Sequence, residues 1–353
     1  MVRLAPSEHY RFAQSCPGSM DLTFGGAESS VAASISMLGG SSRFVSALPQ
    51  HAIADAFVRQ MRGFKVDVDH VLRREAGRFG IYYVETGANQ RPSRVIYDRD
   101  YSAVSICSGE EYDWDAIFAD AQWLHISGIT LAISETAAHA AILAAGKAQA
   151  AGVKVSCDLN FRKNLWRWRS GSDARSLARS VMPDFLENVN VIIGNEEDAA
   201  DVLDIHAGDT DVHSGSLEIS HYPDVARQIA QRFNNVDQVA ITLRESISAT
   251  HNNWGAMLFD VSSDTAVFAP MNGEQYEPFE IRNIVDRVGG GDSFAAGLIY
   301  AMTTKDFATA QDQVDFAVAA SCLAHSVKGD FNFTSRAEVE ALANGNASGR
   351  VQR

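Results

Sequence analysis

The sequence predicts an α/β fold: a mostly parallel sheet sandwiched by helices, with a small β-sheet lid. Three observations predict it. Apolar runs of strand length alternate with helical stretches along most of the 353 residues, the pattern of parallel strands joined by crossover helices. Two stretches in the first third break that rhythm and read as an added sheet. The composition, 46% hydrophobic and 21% charged, is that of an ordinary globular chain long enough to bury one large core.

Taken in order, residues 3–24 are polar and irregular. A helix is expected over 27–38, a strand over 44–48 and a helix over 52–62. Residues 78–101 hold the apolar run Phe79-Gly80-Ile81-Tyr82-Tyr83-Val84-Glu85, a Gly/Asn/Pro loop, and Arg94-Val95-Ile96-Tyr97-Asp98-Arg99. That is a β-hairpin with a long polar turn, and with 3–24 it makes the lid. Strands follow at 123–126, 153–159, 189–193 and 239–243. Helices are expected between them at 135–151, 173–182, 196–203 and 224–233, and residues 205–223 read as a surface loop. Runs 255–260 and 265–269 flank Ser262-Ser263-Asp264 and form a hairpin. The tail from Asp292 is mainly helical. The whole chain reads as one domain with the lid inserted on its core.

Charge and cysteine usage narrow the function. A formal charge of −14 opposes a nucleic-acid surface or an anionic membrane as partner. No apolar run reaches transmembrane length, and no signal segment opens the chain, which points to the cytoplasm. Cys16, Cys107, Cys157 and Cys322 have no CxxC spacing and read as buried thiols. His125, inside an apolar run, reads as a core histidine rather than a metal ligand.

The segment Val285-Asp286-Arg287-Val288-Gly289-Gly290-Gly291-Asp292-Ser293-Phe294 carries the chemistry. Three glycines let backbone N–H groups crowd round one point. The helix that follows adds partial positive charge, so Gly289, Gly290 and Gly291 suit an oxyanion such as a phosphoryl group in transfer. Asp292 is placed to take a proton from an attacking hydroxyl. The plain alternative is a helix-entry turn capped by Asp292.

Residues 286–294 resemble the C-terminal signature of ribokinase-like (PfkB-type) carbohydrate kinases, with Gly290 where alanine is usual. Phe24-Gly25-Gly26-Ala27-Glu28-Ser29-Ser30-Val31-Ala32 resembles the N-terminal glycine signature of that family. Asp158-Leu159-Asn160-Phe161-Arg162-Lys163-Asn164-Leu165-Trp166, Leu124-His125-Ile126-Ser127-Gly128-Ile129 and Gly329-Asp330-Phe331-Asn332 are similar to the 2-keto-3-deoxygluconate kinase branch. The resemblance implies a ribokinase-like fold and an ATP- and Mg²⁺-dependent kinase acting on the terminal hydroxyl of a sugar acid. It implies a sugar site at Gly25, Gly26, Ser30, Tyr82, Tyr97, Arg99, Arg162, Asp292 and Asp330. Arg162, beyond a strand end, would pair with a carboxylate. The resemblance puts nucleotide contacts at Asn195, Arg244, Gly289, Gly291, Ser321 and His325, and water-mediated Mg²⁺ at Asp198 or Glu197. It also implies a homodimer formed through the lid.

Three departures bear on the reading. Ser30 stands where asparagine is usual, and Asp198 where glutamate is. Met1-Val2-Arg3-Leu4-Ala5-Pro6 resembles the end of the first, central strand of the family, so the upstream part of that strand is expected to be missing. The rival readings are a ribose or fructose kinase of the same family, or a catalytically weak sugar- or nucleotide-binding homologue.

Overall fold

The computed structural model describes residues 1–195, 197–206 and 219–346. The chain opens with β1 (Val2–Ala5), the turn of helix α1 (Phe12–Ser15), β2 (Asp21–Phe24) and α2 (Ala27–Met37). A βαβ unit follows: β3 (Ser46–Pro49), α3 (Ala52–Gly63) and β4 (Val71–Arg74), the two strands parallel. Next come the hairpin strands β5 (Ile81–Glu85) and β6 (Arg94–Asp98).

The core then alternates. Helix α4 (Trp114–Phe118) leads to β7 (Trp123–Ser127), α5 (Gly128–Ala132), α6 (Glu135–Ala150) and β8 (Lys154–Asp158). Helix α7 (Ala174–Leu186), β9 (Val191–Asn195), α8 (Asp198–Leu203) and α9 (Tyr222–Arg232) follow. Strands β10 (Gln238–Ser248), β11 (His251–Asp260) and β12 (Thr265–Ala269) form a meander. Strands β13 (Met271–Asn272), β14 (Gln275–Tyr276) and β15 (Phe279–Arg282) lead to α10 (Gly290–Thr303), α11 (Ala310–Ala324) and α12 (Arg336–Ala343).

The central sheet runs β12-β11-β10-β9-β8-β7, with β15 added to β11. Strands β7 to β10 are parallel, and β11 and β12 complete an antiparallel edge. Val155, Cys157, Val191, Ile192 and Ile193 are buried, as expected for strands covered on both faces. Helices α6 and α7 pack one apolar cluster against the sheet, and α2, α10 and α11 another. The expected α/β sandwich is therefore present. Among the described residues no helix is long and apolar enough to cross a membrane.

The lid sheet has the order β2-β1-β5-β6. Residues 3–24, expected to be irregular, supply two of its strands. Val2–Ala5 lies in the lid, where β1 pairs antiparallel with β2 and parallel with β5. Arg3 on this strand reaches two buried carboxylates, Asp286 and Asp330. Among the described residues β7 pairs only with β8 and β3 only with β4. A cavity of about 970 Å³ extends from the site between residues 44–48 and 123–126.

Other boundaries move for local reasons. Helix α7 runs through Pro183 to Leu186, where Phe185 and Leu186 are fully buried; that burial outweighs one missing N–H donor. Helix α9 starts at Tyr222, with Pro223 in its first turn, where no donor is needed. Strand β11 begins at His251, four residues earlier than expected, because β10 continues as its partner to Ser248. The expected helix start at Glu196 and residues 207–218 of the expected loop lie outside the described residues.

Candidate functional site

Helix α10 begins at the glycine loop. Its N-cap is Gly289 (φ 85°), with no side-chain cap, so the first N–H groups of the helix are free of intrahelical partners. Asp292 is the third residue of the helix, not its cap. A Cβ on Gly289 would come 2.4 Å from the Asp330 carbonyl, and one on Gly25 would come 1.9 Å from Asp330 Oδ2. Both glycines are required by the same close approach. The loop therefore offers N–H donors and a positive helix end to an anion.

Carboxylates converge on this point. Asp158 ends β8, at the carboxyl edge where open α/β sheets bind ligands, and its Oδ2 would lie 3.9 Å from a Cβ on Gly291. Burial, with Asp198 next, pushes the Asp158 carboxyl up to about 7. Burial first, then Asp158, Asp330 and Glu28, holds Asp292 well above the ordinary carboxylate range, and Arg162 opposes this. Arg162 thus stands on the acidic, glycine-loop side of the cavity. Its own Nη1 donates to the Phe161 carbonyl at 2.9 Å.

Asp198 is buried. Its Oδ1 accepts from the Phe161 N–H at 3.0 Å and its Oδ2 from the Asn195 N–H at 2.9 Å. Asn195 Oδ1 in turn accepts from the N–H groups of Glu197 and Asp198. This reciprocal turn places Asn195 and Asp198 in the cavity wall, while Glu197 is exposed and does not line it. Among the described residues no three His, Cys, Asp or Glu side chains form a closed metal cage. Raised, mutually repelling carboxylates nevertheless fit a cation that arrives with phosphate and keeps most of its waters.

The lid closes the other end. Tyr82, Tyr97 and Arg99 line the cavity with Gly25 and Gly26. Arg99 is buried, its Nε without a hydrogen-bond partner, and burial lowers its pKa. Met1 lies beside it, its amine donating to the Gly25 carbonyl at 2.7 Å and pushed down to about 5 by burial and by Arg99.

Ser30 is buried but does not line the cavity, and its hydroxyl has no partner. Ser321 also lies outside the lining; its hydroxyl donates to the Gly290 carbonyl at 2.7 Å and supports the loop. His325 and Arg244 do line the cavity. Asp330 does too, but its carboxylate is engaged: it accepts from the Tyr82 hydroxyl at 2.5 Å and from Arg3 Nη1 at 3.1 Å. The half-buried His125 is satisfied by Ser156 at 2.8 Å and pushed down to about 4 by burial.

Sequence reasoning missed Arg3, Glu28, Asp158, Asp286 and Arg287. Arg3 Nη2 meets Asp286 at 2.5 Å. Asp286 also accepts from the N–H groups of Val288 and Gly329, so Arg3 ties the lid to both loops around Gly289. Glu28, in the first turn of α2, accepts from the Ser127 N–H and the Thr130 hydroxyl. Their signal was present in part: Asp158 and Asp286 open the motifs that contain Arg162 and Asp292.

A model of the pfkB family of carbohydrate kinases matches residues 14–336. The chain is 30% identical over 350 residues to a 2-dehydro-3-deoxygalactonokinase of Haloferax volcanii, covering 99% of this chain and 96% of that one. A fructokinase of Salmonella typhimurium is 25% identical, covering 93% and 92%. The crystal structure of a 2-dehydro-3-deoxygluconokinase from Thermotoga maritima superposes with a TM-score of 0.86 at 40% identity, covering 98% and 96%.

Proposed function

Because the chain belongs to the pfkB family of carbohydrate kinases, a family of ATP-using phosphotransferases acting on sugar hydroxyls, we propose that its acceptor is 2-keto-3-deoxygluconate, phosphorylated on its terminal hydroxyl. The observation that carries the sugar-acid reading is Arg99. A buried guanidinium with an unpartnered Nε, inside the cavity and under the lid, suits an anionic ligand, and a neutral sugar has no such charge to offer. The names of the gluconate and galactonate kinases similar to this chain support the same class.

The chain's residues account for the transfer. Asp292 orients the terminal hydroxyl and accepts its proton as the oxygen–phosphorus bond forms. The N–H groups of Gly290, Gly291 and Asp292 hold the transferring phosphoryl oxygens, and the nucleotide departs as ADP. Gly25, Gly26, Tyr97 and Arg99 seat the sugar acid, and Arg162 offsets the charge on Asp158 and Asp292. Mg²⁺, held through water by Asp198 with Asp158, would neutralise phosphate charge. The protein is read as cytoplasmic. The lid is read as a dimer surface, because Leu22 on β2 and Ile96 on β6 are exposed.

A coupled ADP-release screen over 2-keto-3-deoxygluconate, its galactonate epimer, fructose and ribose tests the substrate. Turnover of the gluconate is expected to be highest. Preference for fructose or ribose overturns the sugar-acid reading, and preference for the galactonate overturns the choice of epimer. Sedimentation of wild type and a Leu22→Lys variant tests the dimer.

A further inference from the structure

We propose that Arg3 is a positioning residue for the transfer step: by bridging Asp286 and Asp330 it holds the glycine loop and the cavity face of the lid in one fixed alignment. The inference rests on the kinase reading above and adds to it a residue that does not itself line the cavity.

Arg3 stands on the lid. The strand registers set it beside Tyr82 of β5, and set Tyr82 beside Tyr97 of β6. Side chains paired across neighbouring strands point to the same face of a sheet, so the three form one row across the lid. Tyr82 and Tyr97 line the cavity. The row therefore runs from the cavity to Arg3, which is buried.

The two carboxylates that Arg3 meets serve different halves of the site. Asp330 accepts from the Tyr82 hydroxyl at 2.5 Å and from Arg3 Nη1 at 3.1 Å. It also packs on Gly25 so closely that a side chain there has no room. It thereby fixes the lid against the first glycine pair. Asp286 accepts from Arg3 Nη2 at 2.5 Å, and from the N–H groups of Val288 and Gly329 at 3.1 Å each. Val288 leads directly into the glycine loop, and Gly289 abuts the Asp330 backbone. Asp286 thereby fixes the loop that faces the phosphoryl group.

Two buried carboxylates side by side repel, and a cation between them removes the repulsion. The guanidinium does more than that. Its planar fork holds the two Nη groups at a set separation, so the carboxylates they grip are set as well. A lysine ammonium is a point charge on a flexible stem; it keeps the charge and loses the fork. In-line transfer needs the attacking oxygen and the phosphorus aligned, and a displacement of about 1 Å costs on the order of 100-fold in rate. Each substrate can still bind its own half while the reacting atoms miss.

Steady-state and single-turnover kinetics on wild type, Arg3→Lys, Asp330→Asn and the double variant test this. The acceptor is the best one found in the substrate screen, and the temperature lies well below every melting point. Arg3→Lys should lower kcat and the single-turnover rate roughly ten- to hundredfold, with KM for acceptor and for ATP within about threefold of wild type. Asp330→Asn removes the charge that meets Arg3 and should slow transfer in the same way, which covers the case that Arg3→Lys does not fold. Both substitutions break one bridge, so the double variant should be hardly slower than the slower single variant. A wild-type kcat in the folded variants, with only the melting temperature lowered, assigns Arg3 to stability alone and overturns the proposal. Losses that multiply in the double variant, or a raised KM with kcat unchanged, overturn it too. A neutral sugar as best acceptor refutes the sugar-acid reading and leaves the Arg3 pattern to decide this inference by itself.

Discussion

Replacing Arg3 by Met should destabilise the protein by about 3–5 kcal/mol, the usual cost of removing one partner from a buried ion pair. Arg3 is 2% exposed and reaches Asp286 at 2.5 Å and Asp330 at 3.1 Å. Methionine fills much of the volume but leaves both carboxylates buried without their cation. Unfolding entropy of about 2.1 cal/mol/K per residue over 353 residues gives roughly 0.74 kcal/mol/K, so the melting temperature should drop by about 4–7 °C.

The loss has a pH signature. Burial already raises the Asp330 carboxyl above its ordinary value, with Arg3 opposing. Without Arg3 it rises further. A carboxyl raised in the folded state costs stability as pH increases, because the unfolded chain gives up that proton first. The gap between wild type and variant should therefore widen from acid to neutral pH. Calorimetric melts across that range measure it, with Asp330→Asn added in the Arg3→Met background to remove one orphaned charge. An unchanged melting temperature, or a gap that neither pH nor Asp330→Asn alters, would refute the argument that Arg3 acts by charge.

Asp292→Asn should lower kcat by about 100- to 10,000-fold while sparing nucleotide and sugar affinity; near-normal turnover in steady-state assays would end the base assignment. Arg99→Ala should raise KM for a sugar acid by the equivalent of roughly 2–5 kcal/mol and leave a neutral analogue unaffected. Equal effects on both would remove Arg99 as the carboxylate partner, and Arg162→Ala assayed in parallel decides between the two arginines. Asp158 is pushed up to about 7 by burial, so it should cost stability progressively from about pH 4 to 7, at up to about 1.36 kcal/mol per pH unit. Asp158→Asn should stabilise the ligand-free protein by a few kcal/mol above pH 7 and flatten the dependence; equal melts at pH 5 and 8 for both proteins would contradict that burial.

Much of this molecule is written locally. Alternation of short apolar runs with helical stretches determined a parallel sheet between helix layers, because each run encodes its own conformation and buried faces. Three glycines before Asp292 determined a loop of unpaired N–H groups at a helix start, since glycine adopts the left-handed conformation at Gly289 (φ 85°) without strain. The lid hairpin was legible for the same reason: its turn chemistry and its strands are contiguous.

What the tertiary structure decided involves residues far apart in the chain. Arg3 and Asp330 are separated by 327 positions, and no periodicity links them; the pairing of β1 with β5 in the lid brings them together. Arg99 and Arg162 look equivalent in sequence, yet one is buried beneath the lid and the other sits beside Asp158, a difference set by which strand end each follows. Ser30 occupies a motif position but points away from the cavity, because the rotation of α2 assigns its faces. The contact of Arg287 with Asn252 depends on the register of β10 against β11, a hairpin that the expected strands 239–243 and 255–260 did not include. Local conformation follows from neighbours in sequence, whereas the partners that tune a charge follow from topology and side-chain direction, and these are settled only when the sheet, the helices and the lid pack together.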